Sequence, residues 1–230
     1  MSERFFLAEP PSQGRGRLVG DEARHLVRVM RCRVGDEVVV FDGRGMSWQA
    51  RVAAVGRDEA VVDLGAVREA SPPPTVPLTL AVALPKGERQ RWLVEKLTEL
   101  GVERLLPLVT TRGVAEATPA AVERLRRGVI EACKQCGRDT LMAIGEPRTC
   151  ADLARDRGPE TSLVVADRDG SPFAEAVGGP QPLTAVVGPE GGLTAEEITV
   201  LEAHGGRRVT LGPHVLRVET AAIAVAARLA

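Results

Sequence analysis

Val187-Gly-Pro-Glu-Gly-Gly-Leu193 and Leu211-Gly-Pro-His-Val-Leu-Arg-Val-Glu-Thr-Ala221 are the two stretches whose reading decides the fold. Each follows an apolar run of strand character, residues 183–187 and 208–211, and each opens a helix. Thr194 with Glu197 three residues later is a capping-box pattern, which starts the first helix just beyond Gly192. Gly188, Gly191 and Gly192 let the main chain approach a ligand closely and present its N–H groups. Strand, glycine loop and helix, in that order, build ligand crevices at the carboxyl ends of strands in α/β proteins. The two loops, about 20 residues apart, are expected to floor one pocket. A pair of tight turns is the plainer alternative, and the Glu and Arg beside the glycines weigh against it.

Outward from these loops, residues 78–230 alternate strand and helix patterns. Residues 78–84 read as a strand, and 89–100 as a helix with Leu93, Leu97 and Leu100 on its inner stripe and Gly101 stopping it. Residues 102–110 read as a strand broken by Pro107, and Thr118-Pro119 opens a long helix that runs through Cys136 to Gly137. A strand at 161–166 and a helix-forming stretch at 173–177 precede the two loops. The last helix, 219–229, is nearly all alanine and aliphatic, so it is expected to be buried or at an interface. This alternation predicts an open, mostly parallel sheet with helices on both faces.

Upstream, Ser71-Pro-Pro-Pro-Thr-Val-Pro77 interrupts helix and strand alike and marks a linker, dividing the chain into domains 1–72 and 73–230. The first domain reads as mostly β, with strands at 4–7, 37–42, 47–56 and 59–67 separated by glycine turns, which suggests a small barrel. One helix is expected at 21–30, with Ala23, Leu26, Val27 and Met30 on its apolar face.

The chain has 230 residues and a net charge of −1, but the charge is unevenly laid out. From Arg15 to Arg33 there are six arginines and His25 against Asp21 and Glu22. Lysine occurs at Lys86, Lys96 and Lys134 alone, so arginine carries nearly all the positive charge, which suits bidentate phosphate contacts; a GC-rich genome would raise arginine as well. There is no tyrosine, which argues against stacked aromatic platforms for bases. No apolar run reaches membrane-spanning length and the N-terminus lacks a secretory pattern, so a cytoplasmic protein is expected. Cys133-Lys-Gln-Cys136 falls at the end of a helix and has no second pair, so no metal site and no redox role are expected.

Taken together, Leu97-Thr-Glu-Leu-Gly-Val102, Glu131-Ala-Cys-Lys-Gln-Cys-Gly-Arg138, Gly188-Pro-Glu-Gly-Gly192 and Leu211 to Ala221 resemble the RsmE-type family. These are small-subunit (16S) rRNA uridine-N3 methyltransferases of the SPOUT superfamily, and the resemblance extends to Arg4-Phe-Phe and Phe41-Asp-Gly43. It implies an α/β fold in which a PUA-like β-barrel that binds RNA precedes a trefoil-knotted methyltransferase domain. It also implies a homodimer acting on 16S rRNA or the small ribosomal subunit. S-adenosylmethionine would lie against Gly188, Pro189, Glu190, Gly191, Gly192, Leu211, Gly212, Val215, Leu216, Arg217 and Glu219. The chain departs from the family's usual residues at Thr111-Arg-Gly113, Cys133, Lys134, Cys136, Met142 and Val218.

Methylation of uracil N3 leaves negative charge on the ring oxygens as the N3 proton departs, and a nearby guanidinium favours that anion. Arg138 and Arg217 are the candidates, with Glu190 or Glu219 accepting the proton or holding the cofactor's amino group. Helix-terminus charges are the plainer reading of Arg138 and Glu190. Arg28, Arg31 and Arg33, with Lys86, Arg89 and Arg112, are the expected RNA contacts, against a merely solvated face. A nucleotide-binding transferase is disfavoured because neither loop has phosphate-cradle spacing. Methylation of another RNA site, or RNA binding without catalysis, stays open. Phosphate contacts weaken with salt. Neutralising Arg28, Arg31 and Arg33 together should therefore weaken RNA binding and flatten its salt dependence, with cofactor affinity unaltered. Filter binding across a salt series checks this.

Overall fold

Short strands rich in valine and phenylalanine build the N-terminal sheet: β1 (Arg4–Phe6), β2 (Arg15–Val19), β3 (Glu37–Phe41), β4 (Ser47–Val55) and β5 (Glu59–Val67). In the computed structural model, which describes residues 3–69 and 75–230, the chain forms two units. One is Met1–Pro72 with Ile130–Leu141, and the other is Pro73–Val129 with Met142–Ala230. A division at 72/73 alone does not anticipate the exchange of residues 130–141. The proline-rich linker falls mostly outside the described residues.

The first unit's sheet runs in the order β1-β3-β4-β5-β2, antiparallel except for β1 beside β3. It curls around one core that includes Phe5, Leu7, Leu18, Leu26, Val38 and Val62. Among the described residues β1 and β2 are the two edges and do not pair with each other, so the expected barrel is an open five-stranded sheet rather than a complete ring of hydrogen bonds. The single helix expected at 21–30 is instead α1 (Gly20–Arg24) followed by a π-helical turn, His25–Val29. Met30 N–H bonds to His25 O at 2.9 Å, five residues back, and this wider turn keeps Leu26 in the core while Val29 is 66% exposed.

Residues 130–141 join this unit through a buried cation. The Lys134 ammonium donates to Glu22 Oε1 (3.0 Å), His25 Nδ1 (2.9 Å) and Glu131 Oε1 (3.1 Å), so each of its three protons has an acceptor. Glu22 Oε2 in turn accepts from Phe6 N–H at 2.9 Å, and Arg4 pairs with buried Asp139.

The second unit follows the alternating pattern. Its elements are β6 (Leu78–Val82), α2 (Glu88–Glu99), β7 (Arg104–Val109), α3 (Pro119–Cys136), β8 (Ala143–Ile144), β9 (Arg148–Thr149), α4 (Cys150–Arg155), β10 (Ser162–Pro172), α5 (Phe173–Ala176), β11 (Leu183–Val187), α6 (Ala195–Ala203), β12 (Arg207–Thr210) and α7 (Val218–Ala227). The strands are parallel in the order β12-β10-β11-β6-β7-β8, with β9 also on β7. Pro107 does not break β7. Leu105 is the last residue paired with β8 and Leu108 the first paired with β9, so the missing N–H falls where that edge has no partner. Ala81, Val165 and Val186 share one sheet face with α4 and α6. Their neighbours Val82, Ala166 and Val187 point to the other face. There α7 packs against α2, β6 and β11 and buries Val218, Ala222 and Val225. The apolar character of the last helix is thereby accounted for within its own unit.

Removing one partner of a buried ion pair leaves uncompensated charge. Lys134→Ala should therefore destabilise the protein by about 3 kcal/mol. Urea unfolding, with an unchanged denaturant slope, checks this.

Candidate ligand-binding site

Because β10, β11 and β12 are parallel, their carboxyl ends meet at one edge of the sheet, and a cavity of about 250 Å³ opens there. That is near the low end of small-molecule sites, roughly 300–1,000 Å³, and suits one compact ligand. Three segments line it: residues 166–168 within β10, 187–193 without Gly191 at and after the end of β11, and 210–216 without Pro213 at and after the end of β12, closed by Val218 and Ala221 of α7. The capping box at α6 is present. Thr194 Oγ1 accepts from Glu197 N–H at 3.3 Å, and Glu197 Oε2 accepts from Thr194 N–H at 2.8 Å.

The glycines of the first loop do different things. Gly192 has φ +72° and its N–H donates to Pro189 O at 2.8 Å, which closes the turn. Gly188 packs so tightly that a Cβ would lie 2.9 Å from Leu193 Cγ. At Gly191 a Cβ would meet only Arg112, at 3.5 Å. Gly191 does not line the cavity; its carbonyl instead accepts from Arg112 Nη1 at 2.7 Å. The neighbouring Thr111 N–H donates to Glu197 Oε1 at 2.8 Å, so the loop after β7 is fastened to the glycine loop.

Arg89, at the start of α2, contacts two acids. Its Nη1 lies 2.9 Å from Glu190 Oε1 and 3.7 Å from Glu219 Oε2. The loop's own amide, and then Arg89, hold the Glu190 carboxyl below its ordinary value. Glu219 is buried, and its Oε2 has no hydrogen-bond partner among the described residues.

Of the expected cofactor residues, Gly188, Pro189, Glu190, Gly192, Leu211, Gly212, Val215 and Leu216 line the cavity, whereas Gly191, Arg217 and Glu219 do not. Arg217 is the exposed N-cap of α7, beside the lining residues Leu216 and Val218. Arg138 belongs to the first unit, where its carbonyl accepts from Arg4 at 3.4 Å. Sequence reasoning missed Asp167 and Arg168, although the rule that ligands sit at strand carboxyl ends applies to β10 as well.

In the first unit, Arg15 pairs with Asp63, Arg17 with Glu59, and Arg24 with Asp21. Arg28, Arg31 and Arg33 are exposed and, among the described residues, have no side-chain ion pair. Lys86 is exposed in the second unit. Burial pushes the Cys133 thiol up to about 12 and the Cys150 thiol up to about 11, so both stay protonated at neutral pH. Among the described residues no group of three His, Cys, Asp or Glu is placed to hold a metal ion, and no helix is long and apolar enough to cross a membrane.

Residues 71–230 match the RNA methyltransferase domain family and residues 18–65 the RNA methyltransferase PUA domain family. A ribosomal RNA small subunit methyltransferase E from Synechocystis is 35% identical, covering 87% of this chain and 67% of its own. A ribosomal RNA small subunit methyltransferase E from Neisseria gonorrhoeae, solved with S-adenosylmethionine, is 27% identical at a TM-score of 0.89, over 99% of this chain and 96% of its own. A methyltransferase from Legionella pneumophila, solved with bound S-adenosylmethionine, is 27% identical at a TM-score of 0.91, over 100% of this chain and 97% of its own.

The glycine geometry predicts unequal costs. Gly188→Val must displace Leu193 and should cost about 1–3 kcal/mol. Gly191→Ala should leave the melting temperature nearly unchanged. Thermal melts of the two variants check the ordering.

Proposed function

The chain belongs to the RNA methyltransferase family, of the small-subunit ribosomal RNA methyltransferase E type, and from that premise we propose that it methylates N3 of a uridine in 16S rRNA with S-adenosylmethionine. The observation that carries this reading is the cavity lined by three segments at the carboxyl edge of the sheet. Its apolar lining, Val187, Leu193, Leu216 and Val218, suits a purine ring, and Asp167, Arg168 and Glu190 suit a charged amino-acid end. The residues present therefore fit the cofactor.

When bound, S-adenosylmethionine supplies the methyl group on a sulfonium. The chain's own contribution is position and charge. Glu190, kept ionised by its amide and by Arg89, serves as a fixed negative charge at the cavity rather than as a proton acceptor. Arg217 and Arg138 are the guanidinium groups proposed to stabilise the uracil oxygens as the N3 proton leaves. Glu219 steadies Arg89 from beneath. Residues 1–72 would serve as the PUA-like RNA-binding domain, through Arg28, Arg31 and Arg33, and 73–230 as the SPOUT domain. Lys86 and Arg112 would contact RNA from the second domain, whereas Arg89, expected beside them, is engaged by Glu190 and Glu219. The trefoil knot and a homodimer belong to the same proposal and rest on the family resemblance; a cytoplasmic location is proposed with them from the sequence pattern.

Incubation with unmodified small subunits, or 16S rRNA, and methyl-labelled S-adenosylmethionine should yield N3-methyluridine on nucleoside mass spectrometry. Another methylated nucleoside, or none, overturns the reading. In single-turnover assays, Arg138→Ala and Arg217→Ala should each lower the rate by about a hundredfold, roughly 3 kcal/mol, if the group stabilises developing charge. A helix-end role would instead cost about 0.3–1 kcal/mol of stability at full rate.

A further inference from the structure

We propose that Arg168 takes the α-carboxylate of S-adenosylmethionine and so reads the amino-acid end of the cofactor, an assignment that rests on the cofactor reading above. The backbone builds this position. Ala166 and Ser171 both stand opposite Val209 of β12, so residues 167–170 bulge out of the β10 ladder. Gly170 makes the bulge possible, because a Cβ there would lie 2.4 Å from Val209 N. The bulge delivers Asp167 and Arg168 to the cavity lining.

Two carboxylates, Asp167 and Glu190, and one guanidinium, Arg168, line the cavity, and of these Glu190 alone is in an ion pair among the described residues. Glu190 is engaged by Arg89 at 2.9 Å, and Asp167 Oδ1 caps its own turn by accepting from Asp169 N–H at 2.8 Å. Arg168 is exposed and, among the described residues, makes no ion pair or side-chain hydrogen bond. His214, the other basic side chain on the lining, lacks the planar fork that receives a carboxylate through two parallel N–H bonds. A guanidinium left without an acid, at the rim of a cavity whose proposed ligand carries one carboxylate, is complementary to that group. An RNA phosphate offers similar oxygen geometry, and the test separates the two.

Purified protein without RNA is titrated calorimetrically with S-adenosylmethionine, S-adenosylhomocysteine and methylthioadenosine, the last of which lacks the amino-acid end. Arg168→Ala should weaken the first two by about tenfold or more, as expected for a hydrogen bond to a charged group, and leave methylthioadenosine unchanged. Arg168→Lys should recover part of the loss. A melting curve confirms that each variant is folded. Equal weakening of all three ligands would mean a reshaped cavity and overturn the assignment. Unchanged S-adenosylmethionine affinity, with weaker and less salt-dependent RNA binding, would overturn it in favour of a phosphate contact. Failure of the wild-type protein to bind S-adenosylmethionine at all would remove the cofactor reading itself, and Arg168 with it.

Discussion

The parallel register of β11 is the constraint on which the cavity depends. Val187 stands opposite Ala166 of β10 on one side and Val82 of β6 on the other. All three therefore point to the α7 face, where Val187 and Ala166 meet Val218 and Ala221 around the cavity. A slip of β11 by one residue would turn Val187 to the α4/α6 face and bring its neighbours in the strand into the wall. Parallel pairing adds the second half of the constraint, because it brings the carboxyl ends of β10, β11 and β12, and hence their loops, to one edge.

A loop with three glycines in five residues has entropy to lose before it can hold a ligand. Here it is restrained from outside. Glu197 uses one carboxylate oxygen to cap α6 through Thr194 N–H and the other to hold Thr111 N–H. Arg112 then reaches Gly191 O, and Arg89 reaches Glu190 Oε1. Restraints from α2, α6 and the loop after β7 thus converge on the glycine loop. Preorganisation of this kind lowers the cost of binding rather than adding contacts. It also explains why a residue such as Gly191 matters through its carbonyl and not through the space above it.

Local chemistry was legible in the sequence. The apolar run at 183–187 is β11, Thr194 and Glu197 form their box, and eight of the eleven expected cofactor residues reach the cavity. What was hidden depends on partners distant in the chain. The bulge that carries Arg168 requires Val209, some 40 residues on, and nothing within residues 161–172 signals it. The joining of residues 130–141 to the first unit rests on Lys134 meeting Glu22 and His25, more than 100 residues away. The helical pattern at 21–30 was correct in its buried positions Ala23 and Leu26, but periodicity does not show the five-residue hydrogen bond that widens the turn. Arg138 and Arg217 looked alike as motif arginines, yet the fold assigns them to different units.

Composition is also silent about pairing, and this bears on how a chain of net charge −1 can address a polyanion. In the stretch from Arg15 to Arg33, the three arginines nearer the N-terminus are matched with Asp63, Glu59 and Asp21. Such exposed pairs add little stability, but they cancel the field of the cations they hold. Arg28, Arg31 and Arg33 are left exposed without a matching acid. Salt screens interactions beyond about 8–10 Å, so an approaching phosphate responds to this local group rather than to the sum over the chain. A near-zero net charge therefore carries no weight against a nucleic-acid partner. What decides is which cations the fold leaves unpaired, and the same sorting singles out Arg168 at the cavity while Arg89 is consumed by Glu190 and Glu219.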